Sequence, residues 1–173
     1  MRLLFTFCIV GTLPFILKKT KRRETCFLFV CYLLAVVMIT LGFRKPFSEI
    51  HYRVNPLHEY VNIARIARVG SAETGISGAL QAVEKDFEAL SAPLLNILLF
   101  MPFGYMVADV WPSLRKWWWV LFTGLTFSLL IETTQLITHL GWFDTADLMN
   151  NTLGAMLGYL VYCRWVCNQK KIA

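Results

Sequence analysis

Ser128, Glu132 and Gln135 stand four and three residues apart in a stretch made mostly of Leu, Ile, Phe and Thr. On a helix this spacing puts a hydroxyl, a carboxylate and an amide on one face. Asp147 and Asn151 repeat the four-residue step, and Gly154 and Gly158 continue it. Asn96 lies in a third apolar stretch, while Asp144 and Thr152 flank the Asp147–Asn151 pair. Such a set can hydrogen-bond the polar head of a ligand, hold a divalent ion or carry a proton. It can equally serve as glue between helices. Nothing beside it in sequence resembles a nucleophile–base pair, for no Cys or His stands near, and His139 falls at the exposed end of its stretch.

The elements that carry these residues are those of a membrane protein. Of 173 residues, 57% are hydrophobic and 16% charged, against about 45–50% and about 25% in soluble domains. The apolar residues come in blocks long enough for the bilayer core, which takes about 20 per helix. Five spans are predicted: Arg2 to Leu17, Thr25 to Phe43, Ala92 to Trp111, Trp117 to His139, and Leu148 to Cys167. The expected fold class is all-α, a polytopic helical bundle forming one domain over residues 1–173. The first segment lacks a small-residue cleavage site and is followed by basic residues, so it does not read as a cleaved signal peptide. Cys8, Cys26, Cys31, Cys163 and Cys167 lie in or beside spans without a C-x-x-C pair. They read as small apolar residues, with no zinc, disulfide framework or cofactor expected.

Orientation follows from charge. Five of the six residues Lys18 to Arg23 are basic, and short basic loops stay in the cytoplasm. Threading from there puts the N-terminus, residues 44–92 and His139 to Asp147 outside. Arg115, Lys116, Arg164, Lys170 and Lys171 fall inside. The net charge of +6 then reflects orientation and anionic lipid, and no nucleic-acid partner is expected. The outer segment predicts two amphipathic surface helices. One places Leu57, Tyr60, Val61, Ala64 and Ala67 on a face. The other places Leu80, Val83, Phe87 and Leu90 on a face, after a Gly-rich turn at 70–78. His51 and His58 lie seven apart, too few ligands for a metal.

This topology gives the polar residues depths. At 1.5 Å per residue, Asn96 and Asn151 lie about 6 Å, and Glu132 about 10 Å, inside the outer ends of their spans. Three spans thus carry polar groups into one layer. An ionisable residue within a span costs at least about 2.5 kcal/mol on insertion scales, so Glu132 needs a partner or a wet cavity. Asp144 and Asp147 are expected to be more exposed, with Asp147 capping the fifth span. Pro102 should kink the third span. The Gly154–Gly158 step admits a close neighbour, expected to be the fourth span, with Glu132 near Asn151.

At these residues the chain resembles the VanZ-like family of bacterial membrane proteins. The likeness runs through NILLFMPFG (Asn96 to Gly104), SLLIETTQ (Ser128 to Gln135) and FDTADLMNNTLGAMLG (Phe143 to Gly158). It rests on Asn96, Leu99, Phe100, Pro102, Phe103, Gly104, Ser128, Glu132, Gln135, Asp147, Asn151, Thr152 and Gly154. VNPL at Val54 to Leu57 resembles a degenerate form of an earlier family segment. Family members often carry an Arg shortly before the Phe-Asp, where this chain has Gly141 and Trp142; Arg65 or Arg68 could replace it. The resemblance implies a small multi-pass protein of the bacterial cell membrane, linked to glycopeptide (teicoplanin) resistance or envelope maintenance, with no established reaction.

Three functions remain open. The polar layer can be a pocket for a membrane lipid, a lipid-linked cell-wall intermediate or the acyl tail of a lipoglycopeptide, formed by Asn96, Ser128, Glu132, Gln135, Asp144, Asp147, Asn151 and Thr152. It can be a carboxylate-based enzyme site for a lipid-linked substrate. It can be the glue of a partner subunit. Oligomeric state is not legible. The topology has a direct test: in a Cys-free background a cysteine at Gly141 should react with an impermeant thiol reagent on whole cells, and one at Thr20 should not. The reverse labelling would put the polar layer in the cytoplasmic leaflet.

Overall fold

The structure, a computed structural model, describes residues 22–42, 46–49, 52–58, 60, 61, 64 and 76–172, with backbone alone for 76–90 and 169–172. The first predicted span, His51, Arg65, Ala67 and Arg68 lie outside the described residues. Four long helices dominate. They are α1 (Arg22–Val37, extended by a π turn, Met38–Gly42), α2 (Ile76–Val110), α3 (Trp117–Thr138) and α4 (Thr145–Ile172). A short 3-10 turn, Pro112–Leu114, joins α2 to α3. Two-residue strands, β1 (Tyr52–Arg53) and β2 (Phe143–Asp144), pair in parallel, Tyr52 with Phe143 and Arg53 with Asp144. The described chain is a mostly helical bundle with this one small strand pair at the end where α1 and α3 finish and α4 begins.

Among the described residues three helical stretches are long and apolar enough to cross a membrane: Arg22–Gly42, Ser91–Val110 and Trp117–Thr138. The fifth predicted span differs. It begins at Thr145 rather than Leu148 and is not among those three. Asn150, Asn151 and its glycines dilute it, and it can carry them because it packs on both α2 and α3. A helix turned toward protein need not be apolar all round. The second expected surface helix, 79–91, is not separate either. It runs unbroken into the third span as one 35-residue α2 that passes through Pro93 and Pro102. Gln81 to Leu90 are mostly good helix formers, so nothing in sequence stops the helix before the membrane. In the first outer stretch His58, Tyr60, Val61 and Ala64 have helical backbone. Leu57, Tyr60, Val61 and Ala64 on its apolar face are exposed.

The tightest contact joins α2 to α4, backbone against backbone. A Cβ on Gly158 would stand 1.8 Å from the Met101 carbonyl oxygen, one on Gly154 2.2 Å from that of Ile97, and one on Gly104 1.7 Å from that of Ala155. The neighbour of the Gly154–Gly158 step is therefore α2, not α3 as expected. The reason is Gly104: a third glycine on the facing helix makes the approach mutual. Helix α3 arrives beside this seam, where Gly124 faces the Ala155 side chain.

Aromatic rings fill the space between α1, α2 and α3. Phe103 stacks on Phe127 with centroids 5.2 Å apart, and Phe29 meets Trp111 edge-on at 5.3 Å. Pro102 is buried beside this cluster and has no N–H to return to Leu98 four residues back. One residue along, Tyr32 of α1 donates its hydroxyl to the Leu99 carbonyl at 2.6 Å. The weakened ladder thus gains a donor from a neighbouring helix, which lipid could not supply.

Helix α3 ends at His139 in the left-handed conformation, φ 57°, and the His139 carbonyl accepts from the Phe47 N–H at 2.8 Å. Gly141 just beyond is buried, so the exposed Ser48 is the better thiol-labelling reporter for this end of the bundle, with the exposed Ser113 for the opposite end. The seam makes its own prediction. Gly104→Ala and Gly158→Ala must push backbones apart, and overpacking of this kind costs about 1–3 kcal/mol or more. Gly124→Ala meets only a side chain 2.8 Å away and should cost less. Thermal melting in detergent checks the order; equal losses at all three would deny the seam its special role.

Candidate functional site

The polar residues of α3 and α4 do converge, but in separate pairs rather than around one void. Ser128, Glu132 and Gln135 are all buried, at 0%, 2% and 2% exposure, on the single face their spacing defines. Gln135 donates Nε2 to the Thr40 carbonyl at 3.2 Å. Thr40 lies in the π turn that ends α1, where carbonyls run out of helical partners. Gln135 therefore ties α3 to α1. One turn deeper than Glu132, Ser128 Oγ accepts from Asn151 Nδ2 at 2.8 Å. Across the α2–α4 seam Asn96 Nδ2 donates to Asp147 Oδ1. These three contacts join four helices, and each satisfies groups that would be costly if left unpaired.

Glu132 behaves differently from the expectation that placed it beside Asn151. Its Oε2 accepts from the backbone N–H of Asp144 at 2.9 Å. Asp144 in turn accepts from the Ala146 N–H through Oδ1 at 2.9 Å, which makes Asp144, not Asp147, the cap of α4. Asp144 was expected to be exposed and is 6% exposed. The cause is the strand pair, which lays β1 over it. Thr152 does not join the layer. Its hydroxyl returns to the Leu148 carbonyl at 2.7 Å, and it lines an apolar groove of about 410 Å³ with Leu121, Leu125, Met149, Leu153 and Met156. A second apolar groove, about 320 Å³, opens between α1, α2 and α3, lined by Phe29, Leu33, Val107, Phe122 and Thr126 among others.

The structure brings to Asp144 residues that sequence spacing did not offer. Arg53 Nη1 lies 3.8 Å, and His58 Nε2 3.6 Å, from Asp144 Oδ2. The Arg53 guanidinium lies over the Trp142 ring at 4.0 Å. Arg53 thus lies beside Trp142 and Asp144, a place for which the sequence offered Arg65 or Arg68. The Asn55–Pro56 turn places His58. The Asn55 carbonyl accepts from the His58 N–H at 3.2 Å and pairs with His58 Nδ1 at 2.8 Å. With its proton on Nδ1, the imidazole accepts from Arg53 Nη1 through Nε2 at 3.4 Å. Tyr60 donates its hydroxyl to Asn150 Oδ1, a second tie between the outer stretch and α4. The one available signal was an Arg and a His flanking an Asn-Pro turn.

A polar track follows from these contacts. It begins at Arg53, His58 and Asp144, passes Glu132, and descends one turn of α3 to Ser128 and Asn151, about 6 Å deeper at 1.5 Å per residue. At its foot Asn151 Oδ1 is buried without a hydrogen-bond partner, the one such side-chain atom among the described residues. Amide oxygens in that state need a donor from water or a ligand. Among the described residues no three His, Cys, Asp or Glu side chains come together in a way that could hold a metal ion.

Glu132 can be tested through its backbone contact. Glu132→Gln keeps an acceptor for the Asp144 N–H and should leave the melting temperature nearly unchanged. Glu132→Leu strands that N–H and should cost about 1–3 kcal/mol. Equal melting of the two variants would remove the contact from the account. Neither the curated proteins nor the solved structures contain a match to the chain. The VanZ/LLP1 family profile matches residues 27–167, which takes in the α2–α4 seam, the buried face of α3 and the Arg53–Asp144 corner alike, and the chain is a member of that family.

Proposed function

We propose that this VanZ-family membrane protein uses the polar track as an outward-facing site for a lipid or lipid-linked molecule of the bacterial envelope. The observation that carries the reading is the buried, unpartnered Asn151 oxygen at the foot of the track. A hydroxyl or amide of a ligand head, arriving past Glu132, would supply the missing donor. Apolar grooves beside α3 and α4 lie open for acyl chains. With Lys18 to Arg23 in the cytoplasm, the track opens to the outer leaflet of the cell membrane. There a lipid-linked cell-wall intermediate or the acyl tail of a lipoglycopeptide can be met, and the protein would contribute to teicoplanin resistance or envelope maintenance by holding it.

A carboxylate-based enzyme on the same substrate is the second reading, and His58 beside Asp144 favours it. It supplies the base that sequence alone did not place near the carboxylates.

Mass spectrometry of co-purifying lipids separates these readings. The wild-type protein should retain a polar lipid through detergent exchange. Glu132→Gln, which keeps an acceptor for the Asp144 N–H, should lose it at near-normal melting, and Asn151→Leu should lose it while remaining folded. Identical lipid profiles in all three proteins would sink the binding reading. Conversion of the retained lipid by the wild type, abolished in His58→Ala while retention persists, would establish the enzyme instead.

A further inference from the structure

We propose that Arg53 and His58 form a receptor for a phosphate group at the mouth of the track, so that the ligand is a phosphate-headed lipid. The inference rests on the binding reading above and names its ligand class.

The argument begins with how Arg53 is held. Parallel pairing fixes its backbone opposite Asp144, and the Thr145 hydroxyl donates to its carbonyl at 3.3 Å. Its guanidinium is gripped by a face rather than an edge, over Trp142 at 4.0 Å. Stacking of this kind orients the planar fork while leaving its N–H groups available. The contact with Asp144 is 3.8 Å, and the Arg53 side chain is 46% exposed. That distance is longer than a hydrogen bond. Nε and Nη2 have no partner among the described residues. A positioned but unsaturated guanidinium suits the bidentate recognition that phosphate allows.

His58 adds a second nitrogen at the same point. Its Nε2 faces Arg53 Nη1 and Asp144 Oδ2 at 3.4 and 3.6 Å. Because Asp144 Oδ1 is committed to capping α4, only Oδ2 faces the two bases. It aligns them without closing on either. A phosphate oxygen entering between them would accept a charge-assisted hydrogen bond from Arg53 Nη1, and one from His58 Nε2 where the imidazole carries a proton on both nitrogens. The surroundings favour a phosphate carried by lipid. Tyr52, Val54, Leu57 and Val61 beside the site are exposed at 71%, 67%, 54% and 51%. Together with Trp142 they make an apolar rim at the ends of the spans, the level of headgroups.

The test uses the full chain in detergent, offered equal amounts of dioleoyl phosphatidic acid and dioleoyl phosphatidylcholine, with retained lipid read by native mass spectrometry. Wild type should prefer phosphatidic acid. Arg53→Gln should lower that preference about tenfold, the loss of one charge-assisted hydrogen bond. Arg53→Lys, which keeps charge but not the fork, should also lose most of it; a Lys variant as selective as wild type would reduce the site to diffuse surface charge and overturn the proposal. Should Arg53→Gln fail to fold, His58→Gln carries the same comparison. Displacement of phosphatidic acid by millimolar pyrophosphate, with the same Arg53 dependence, would assign the receptor to soluble phosphate. Displacement by neither pyrophosphate nor phosphate would keep it for the lipid. Lipid retention that depends on Glu132 but shows no preference for phosphatidic acid overturns the phosphate inference and leaves the binding reading standing. Absence of any retained lipid in wild type removes both.

Discussion

The approach of α2 to α4 is the constraint on which the rest of the bundle depends. Gly104, Gly154 and Gly158 let two backbones meet with no side chain between them. In lipid no hydrophobic force draws helices together, so packing and polar contacts must do it. That closeness brings Asn96 within reach of Asp147 and sets the start of α4 beside the end of α3. Glu132 can then reach the Asp144 N–H, and Ser128 can reach Asn151. Bulk at any one of the three glycines would loosen every polar contact above it.

Within this frame the polar residues divide by task. Asn96 with Asp147, Ser128 with Asn151, and Gln135 with Thr40 are ties between helices. Each ends on a protein partner, and each accounts for its own presence in an apolar segment. Asp144, Arg53 and His58 form a looser group at contact distances of 3.4–3.8 Å. Close pairs hold a shape, whereas loose ones leave capacity for another molecule. The two kinds meet at Glu132, which is buried yet touches the strand that carries Asp144.

Helical spacing made the buried face of Ser128, Glu132 and Gln135 legible in the sequence, because period 3.6 is a property of any helix. The apolar blocks likewise announced the spans. Partner choice was not legible. Gly154 and Gly158 advertise closeness without naming the helix that comes close, and only Gly104 on α2 decided it. The outer stretch escaped for another reason. Arg53 and His58 reach Asp144 across about ninety residues of chain through a strand pair two residues long, far below the length at which alternation can signal a strand. The continuation of α2 back to Ile76 was masked by amphipathic spacing that fits a surface helix and a membrane-entering helix equally well.

The Glu132 contact has a consequence for how the family can drift. Glu132 grips a main-chain N–H, and every residue but proline offers one. Position 144 can therefore change its side chain without loosening that grip, and the two sites need not covary. Arg53 and Trp142 touch through their side chains. Change at either alters what the other meets, so positions 53 and 142 are coupled where 132 and 144 are not.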